Sequence, residues 1–147
     1  MPKTITNFVD NYAFLSNYYK HNLITDIDYP DIKYPTVEHA FQAAKTLSRS
    51  ERMRFSELVT PSEAKLTGRH VKLREDWEDI KLDIMKHYLK EKFSIPELRE
   101  LLLATEDAIL VEGNTWRDRF WGQVNGKGEN HLGKLLMEVR EEIKDNN

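Results

Sequence analysis

The sequence predicts a mainly α-helical domain of the α+β class, with a small β-hairpin or short sheet. Apolar residues recur at helical spacing in several segments, and Ser, Thr or Asn residues stand at N-cap positions before them. Two short extended runs, separated by turn residues, predict the β element. Because 147 residues are enough for one domain and few for two, we expect one compact domain over residues 1–147.

The hairpin and the first helix are predicted from residues 19–48. Alternating runs around residues 19–27 and 32–34 flank the turn sequence D-Y-P-D. Thr36 is then a suitable N-cap for a helix that continues to about Ser48.

Two further helices follow in the middle of the chain. The run E-R-M-R-F-S-E-L-V, residues 51–59, predicts a helix that stops near Thr60. Thr60, Pro61 and Glu63 form a capping-box pattern for the next helix, which Gly68 would end.

The second half of the chain predicts two long helices and a short one. Residues 76–93 carry a broad apolar stripe, and a capping-box pattern at 94–97 opens a helix through Leu98 and Leu102. Residues 108–112, A-I-L-V-E, predict a buried strand, and 113–129 a functional loop. Asn130 is the expected N-cap of a last helix, whose apolar residues are Leu132, Leu135, Leu136 and Val139.

Composition excludes several classes of function. The net charge is −3, so no global basic field drives nucleic-acid binding, although a local basic patch could bind phosphate. The absence of Cys excludes disulfides, thiol nucleophiles and cysteine zinc sites, and the histidines lack metal-ligand spacing. No apolar run approaches the roughly 20 residues of a membrane span, and no signal peptide is evident. We expect a cytoplasmic protein without a membrane partner, metal or cofactor.

One face of the first helix concentrates functional groups. Glu38, Gln42 and Lys45 lie at i, i+4 and i+7 and therefore share a face. Small or apolar residues take the opposite side: Ala40, Ala43, Ala44 and Leu47. Two interpretations stay open, a solvated surface with an ordinary ion pair or the wall of a catalytic pocket. Glu38 also complements the helix dipole, worth about 0.3–1 kcal/mol at a surface.

Three other segments are candidates for the same site. In A-K-L-T-G-R, Lys65 and Arg69 at i, i+4 either bind one anionic group, with Gly68 permitting close approach, or are simply solvated. Asp118 lies among Trp and Arg residues in W-R-D-R-F-W-G, where a charge is costly unless paired. G-E-N-H-L-G places Asn130 and two backbone N–H donors at a helix N-terminus, which is a natural anion site.

Ordered blocks over nearly the whole chain resemble the NADAR family, the NAD- and ADP-ribose-associated proteins that include the YbiA-like N-glycosidases. These blocks are F-L-S-N-Y (14–18), Y-P-T-V-E-H-A-F-Q-A-A-K (34–45), A-K-L-T-G-R (64–69), W-E-D-I-K-L-D-I-M (77–85), L-V-E-G (110–113), D-R-F-W-G (118–122) and G-E-N-H-L-G-K-L-L-M-E-V-R (128–140).

The resemblance implies a compact, largely helical hydrolase of N-glycosidic bonds in ribosyl compounds. Its expected ligand is ADP-ribose on guanine, in nucleic acid or nucleotide, or a phosphoribosylamino-pyrimidine intermediate of riboflavin synthesis. The resemblance places catalysis at Glu38, Lys45 and Asp118. Among the binding residues it carries over Trp77, Trp121 and Asn130, and we expect the full set for substrate binding to be Ser16, Asn17, His39, Gln42, Lys65, Arg69, Trp77, Glu112, Trp121, Gly122, Asn130 and Gly133. A non-catalytic ADP-ribose or NAD binding module is the alternative class.

Two mechanisms are open at this stage. Glu38 and Asp118 could act as an acid or base and as the stabiliser of an oxocarbenium-like sugar. Alternatively, Lys45 could form a Schiff base with the ring-opened sugar. Trp77 and Trp121 are candidates for stacking on a base, worth ~1–3 kcal/mol. Lys65, Arg69 and the N–H groups after Asn130 are candidates for the phosphates.

Overall fold

The computed structural model describes residues 2–146, which form a mainly helical fold with short strands, as predicted. The elements in chain order are β1 (Thr4–Ile5), a 3-10 helix (Asp10–Leu15), β2 (Ile24–Thr25), β3 (Lys33–Tyr34), α1 (Val37–Ala43), α2 (Arg49–Glu57), α3 (Pro61–Gly68), α4 (Trp77–Lys92), α5 (Pro96–Leu103), β4 (Ile109–Leu110) and α6 (His131–Asp145). They belong to two compact units, one formed by residues 17–92 and the other by the chain on either side of it.

The unit formed by residues 17–92 contains the predicted hairpin. Strands β2 and β3 are antiparallel, with Ile24 opposite Tyr34 and Thr25 opposite Lys33. Helices α2, α3 and α4 all pack against α1. Helix α1 is therefore the central element of this unit, and its side chains have little access to solvent.

A buried ion pair joins the hairpin to α2. Arg52 donates from Nη1 to Asp26 Oδ1 at 3.1 Å, and both side chains are buried. Asp26 Oδ1 also accepts from the backbone N–H groups of Asp28 and Tyr29, and its Oδ2 accepts from Tyr34 Oη at 2.6 Å. Because Asp26 and Arg52 are paired with each other and hydrogen-bonded to their neighbours, both charges can be buried without a large desolvation penalty.

Helix α1 is shorter than the sequence predicts. It begins after the expected N-cap, Thr36, whose side chain accepts from the His39 N–H, but it ends at Ala43 instead of near Ser48. Thr46 Oγ1 accepts from the Ser48 N–H, and Ser48 in turn caps α2, which begins at Arg49. Residues 46–48 therefore lead into α2 and do not extend α1. Leu47, expected on the apolar face, is 63% exposed.

The other predicted caps differ in their outcome. The capping box of Thr60 and Glu63 is present with both of its hydrogen bonds, and α3 ends at Gly68 as expected. The pattern at 94–97 is not used in the predicted register, because α5 begins at Pro96 with Ile95 at its N-cap. The predicted long helix is confirmed as α4.

The second unit is built around a parallel pair of strands. The predicted strand β4 pairs with β1, which the sequence did not indicate, with Ile5 opposite Leu110. Helix α6 packs against β4 and α5. Its apolar stripe is buried as expected: Leu132, Leu135, Leu136 and Val139. Within residues 2–146, no helix combines the length and the apolar character that a membrane span needs.

Candidate functional site

All seven residues of α1 are buried, including its polar ones. Glu38 is 8% exposed and Gln42 is 6% exposed. The interpretation of this face as a solvated surface is therefore wrong. A buried carboxylate is unfavourable unless hydrogen bonds or opposite charges compensate it, so Glu38 requires defined partners.

Glu38 is held by its own helix and by the chain at Asn17. Gln42 donates from Nε2 to Glu38 Oε2 at 2.7 Å, and the Glu38 N–H donates to the Asn17 carbonyl at 3.1 Å. Asn17 Oδ1 and Gln42 Oε1 are buried oxygens with no hydrogen-bond partner in the described structure. An unsatisfied buried acceptor costs about 1–3 kcal/mol, so these two oxygens are unfavourable unless another group donates to them.

Lys45 lies in an unusual electrostatic environment. Burial lowers the pKa of its half-buried amine, and the nearby charges of Arg69, Lys65 and Lys81 lower this pKa further. The Glu38 carboxylate acts in the opposite direction. We call Lys45, Lys65, Arg69 and Lys81 the basic cluster. The sequence did not single out Lys81, although it lies one turn after Trp77 on α4 and so shares its face.

Gly68 allows α3 to approach the polar face of α1. A Cβ at this position would overlap Gln42 Oε1 and lie 2.8 Å from Gln42 Cδ. The sequence suggested that Gly68 makes room for an anionic group. In the structure it makes room for the Gln42 amide.

Two predicted binding residues of this unit are core residues instead. Trp77 is buried and its ring lies 5.0 Å from that of Phe41, so it does not offer an open stacking face. His39 is fully buried, with Nδ1 2.8 Å from Thr36 Oγ1 and Nε2 3.0 Å from the Leu58 carbonyl. Because a carbonyl can only accept, Nε2 carries the proton and Nδ1 accepts from the hydroxyl. Both ring nitrogens are thus committed to the fold.

In the other unit, Asp118 organises its own loop. Its Oδ1 accepts from the backbone N–H groups of Phe120, at 3.1 Å, and Trp121, at 2.9 Å. Its N–H donates to Asn114 Oδ1 at 3.0 Å. This is an Asx-type turn, which the short spacing from Asp118 to the following residues could have suggested. Asn114, which the sequence did not single out, is the second organiser of the loop.

Asn130 does not cap α6 with its side chain. Its backbone is left-handed, with φ of 54°, and its side chain reaches to β4 and the residues after it. Nδ2 donates to the Leu110 carbonyl at 3.0 Å, and Oδ1 accepts from the Glu112 N–H at 2.9 Å. The next two N–H groups of the helix donate to the Phe120 and Trp121 carbonyls, at 3.0 and 2.9 Å. The predicted anion site is therefore wrong, because the loop already satisfies these donors.

The remaining predicted residues of this unit are largely explained by packing. Gly122 lies against Glu112, whose Oε2 accepts from Asn114 Nδ2 at 2.9 Å, and a Cβ there would overlap that oxygen. A Cβ on Gly133 would overlap the Leu110 carbonyl, so this glycine lets α6 approach β4. Trp121 is half-buried and stands edge-on to the ring of Phe120, 4.9 Å away.

The structure thus brings together one group of the predicted residues, which are Asn17, Glu38, Gln42, Lys45, Lys65 and Arg69. Ser16 follows the 3-10 helix and donates its N–H to the Ala13 carbonyl. Asp118 belongs to the other unit, and its approach to Glu38 and Lys45 stays a prediction. Among residues 2–146, no three acidic or histidine side chains are grouped to bind a metal ion.

A buried carboxylate beside a half-buried lysine, within a cluster of cations, is typical of an enzyme site for an anionic substrate. The model of the NADAR domain matches residues 6–144, and the chain belongs to this family.

Known relatives define the class of enzyme. The N-glycosidase YbiA of Escherichia coli strain K12 is 41% identical over 150 residues, covering 97% of this chain and 91% of that protein. The NMR structure of E. coli YbiA has a TM-score of 0.83 and 40% identity, covering 99% of this chain and 88% of that one. The riboflavin biosynthesis protein PYRR of Zea mays is 36% identical over 149 residues, covering 91% of this chain and 24% of that protein. The predicted class, a hydrolase of N-glycosyl compounds, is confirmed by these relatives.

Proposed function

We propose that this protein is an N-glycosidase that cleaves the C1′–N bond of a phosphorylated ribosyl compound. The observation that carries this proposal is the burial of Glu38 beside Lys45 within the basic cluster. The protein has a net charge of −3, yet the charged groups that act on Lys45 are one carboxylate, Glu38, and three cations, of which Lys81 also pairs with the exposed Glu78. Such a site attracts phosphate groups while it keeps one carboxylate for the sugar.

The reaction needs three contributions. The leaving nitrogen must gain a proton, the positive charge that develops on the sugar must be stabilised, and a nucleophile must attack C1′. In the first route, the Glu38 carboxylate stabilises the oxocarbenium-like sugar while water attacks C1′. As the C1′–N bond breaks, the leaving nitrogen gains one proton, and the attacking water loses one proton as its oxygen bonds to C1′, so free sugar and free base result.

In the second route, Lys45 is the nucleophile. The sugar ring opens to an imine between C1′ and the leaving nitrogen, and the neutral amine of Lys45 adds to C1′. Loss of the protonated leaving amine gives a Schiff base, and water then hydrolyses it to restore the lysine and release the sugar. The lowered pKa of Lys45 supports this route, because the neutral amine is available at a lower pH than for a free lysine.

Two substrates fit this chemistry. ADP-ribose linked to guanine, in nucleic acid or as a nucleotide, is our first candidate, since Lys65 and Arg69 are cations for its phosphates and Lys81, which pairs with Glu78, lies near them. A phosphoribosylamino-pyrimidine of riboflavin synthesis is the second, and the relative in maize that is named a riboflavin biosynthesis protein favours it.

The substrate assay incubates the protein with ADP-ribosyl-guanosine and, separately, with phosphoribosylamino-uracil. Mass spectrometry then measures the released ADP-ribose or ribose phosphate. Turnover of either compound supports the proposal and identifies the substrate class. Thermal stabilisation by ADP-ribose without release from either compound would instead identify a binding module.

Trapping with cyanoborohydride tests the role of Lys45. If Lys45 forms a Schiff base, reduction during turnover will attach the sugar covalently to Lys45, and peptide mass spectrometry will locate it. We expect the trapped yield to increase as the pH rises through the lowered pKa, because only the neutral amine reacts. Lys86→Ala, which removes a lysine of α4, is the matched control. Its yield of the adduct on Lys45 should equal that of the wild-type protein. Full turnover without any adduct on Lys45 would leave only the first route.

Asp118 is our proposed second carboxylate, and Asp118→Asn tests it. Asparagine keeps a side-chain oxygen that can accept from the Phe120 and Trp121 N–H groups, so the loop should be preserved while the charge is lost. We expect kcat/KM to fall by about 10²-fold or more. Asp107→Asn, an exposed site in the same unit, is the control. Unchanged turnover in Asp118→Asn would show that Asp118 stabilises the loop and takes no part in the reaction.

A further inference from the structure

We infer that Gln42 is a positioning residue that keeps Glu38 ionised, and that Gly68 holds the Gln42 amide in the orientation this requires. The inference rests on the proposed function, and it assigns the state of the carboxylate that sequence reasoning left open. It follows from the contacts between α1 and α3.

The hydrogen bond between the two side chains has a defined direction. Gln42 Nε2 lies 2.7 Å from Glu38 Oε2, and both side chains are buried. An amide NH₂ group can only donate, whereas its oxygen can only accept. An ionised carboxylate can only accept, so the observed contact satisfies the charged form of Glu38. A protonated Glu38 would gain most from the opposite amide orientation, with its O–H donating to Gln42 Oε1.

The oxygen of the same Gln42 amide is in a different situation from the nitrogen. Gln42 Oε1 is buried and has no hydrogen-bond partner within residues 2–146. The amide therefore leaves its oxygen unsatisfied while its nitrogen bonds to the carboxylate. A hydrogen bond to a charged group is about twice as strong as a neutral one, and this compensates for the unsatisfied oxygen. This orientation is more favourable when Glu38 carries its charge than when it is neutral.

Gly68 has no side chain where α3 faces the Gln42 amide. A Cβ there would overlap Gln42 Oε1 and lie 3.3 Å from Gln42 Cβ, so the amide would have to move. Gly68 is a helical residue, and its lack of a side chain leaves space next to Gln42. That space is filled by the Gln42 amide in the orientation that donates to Glu38.

Positive charge near Glu38 also favours its ionised form. Lys45 follows α1, Lys65 lies on α3, Arg69 is at the C-cap of α3 and Lys81 is on α4. Of these, Lys45 interacts with Glu38, and a nearby positive charge favours the charged form of a carboxylate, whereas burial disfavours it. An ionised Glu38 can stabilise positive charge on the sugar or accept a proton from water or from Lys45. It does not protonate the leaving nitrogen, so that proton comes from another group.

The test is a direct titration of the Glu38 carboxyl group by ¹³C NMR, assigned with Glu38→Gln. Gln42→Met keeps the length of the side chain and removes the donor, and Gly68→Ala displaces the amide by a separate change. We expect each variant to raise the pKa of Glu38 by about one unit, a tenfold change in proton affinity. Glu57, exposed at the end of α2, is an internal control whose titration should not move.

A second readout is the pH dependence of kcat/KM on a cleaved substrate. Its acidic limb should shift upward in both variants by the same amount as the Glu38 titration, which a purely structural defect would not produce. An unmoved Glu38 titration in folded Gln42→Met or Gly68→Ala overturns the inference, even if the wild-type protein is active. An inactive wild-type protein would overturn the proposed function, but the titration needs no substrate and would still test Gln42.

Discussion

Replacement of Glu38 by glutamine is expected to lower kcat/KM on the cleaved ribosyl compound by about 10²–10⁴-fold. Glutamine has nearly the same size, so the packing of α1 should survive while the negative charge is lost. The sugar then develops positive charge next to a neutral amide and a group of cations, which raises the barrier. The rate of sugar release over a range of substrate concentrations measures the effect.

Glu57→Gln provides the matched control for this loss. Glu57 lies at the end of α2 in the same unit and is exposed, so its substitution removes one negative charge without touching the site. We expect it to change kcat/KM by less than about twofold, since exposed charges are screened at physiological salt. Equal activities of the two variants would remove Glu38 from the reaction, and the carboxylate role would have to be assigned elsewhere.

Replacement of Arg52 by alanine is expected to destabilise the fold by about 3–5 kcal/mol, because the Asp26 carboxylate would stay buried without its cation. Arg52 also donates from Nε to the Thr46 carbonyl at 2.9 Å and from Nη1 to Asp28 Oδ2 at 2.6 Å. These bonds join the hairpin to the start of α2. Unfolding in urea, followed by far-UV circular dichroism, measures the loss.

Arg54→Ala is the comparison for Arg52, because Arg54 is an exposed arginine two residues further along the same helix. Arg54→Ala should change the free energy of unfolding by no more than about 0.5 kcal/mol. The double variant Asp26→Asn, Arg52→Ala should lose less than the sum of the two single variants, since it removes the unpaired charge. Equal stability of Arg52→Ala and Arg54→Ala would show that the buried ion pair does not hold the hairpin on α2.

Most of the secondary structure could be predicted because its signals are local. The capping box of Thr60 and Glu63 depends on residues three positions apart, and both of its hydrogen bonds are present. The hairpin and the long helix α4 follow from patterns of the same kind. Strand β1 could not be predicted, because Thr4–Ile5 is extended only through pairing with β4, about a hundred residues later.

In the candidate site, too, some features follow from local spacing and others depend on tertiary packing. Spacing at i, i+4 and i+7 was enough to place Glu38, Gln42 and Lys45 on one face. Whether that face meets water depends on α2, α3 and α4, which cover α1 in the folded unit. Tertiary packing also brings in Lys81, because helices α1 and α4 must come together before its charge acts on Lys45.

Asn130 shows most clearly what local sequence patterns do not predict. The sequence correctly marks it as the residue before α6, yet the partners of its side chain are near β4, about twenty positions earlier. Sequence alone therefore determined the existence of the helices but not all of their ends, together with the hairpin, the family and the polar face of α1, since these depend on local spacing and ordered motifs. Only the tertiary structure decided which polar groups are buried, which are already satisfied and which cations surround Lys45, since burial and hydrogen bonding depend on residues distant in the chain.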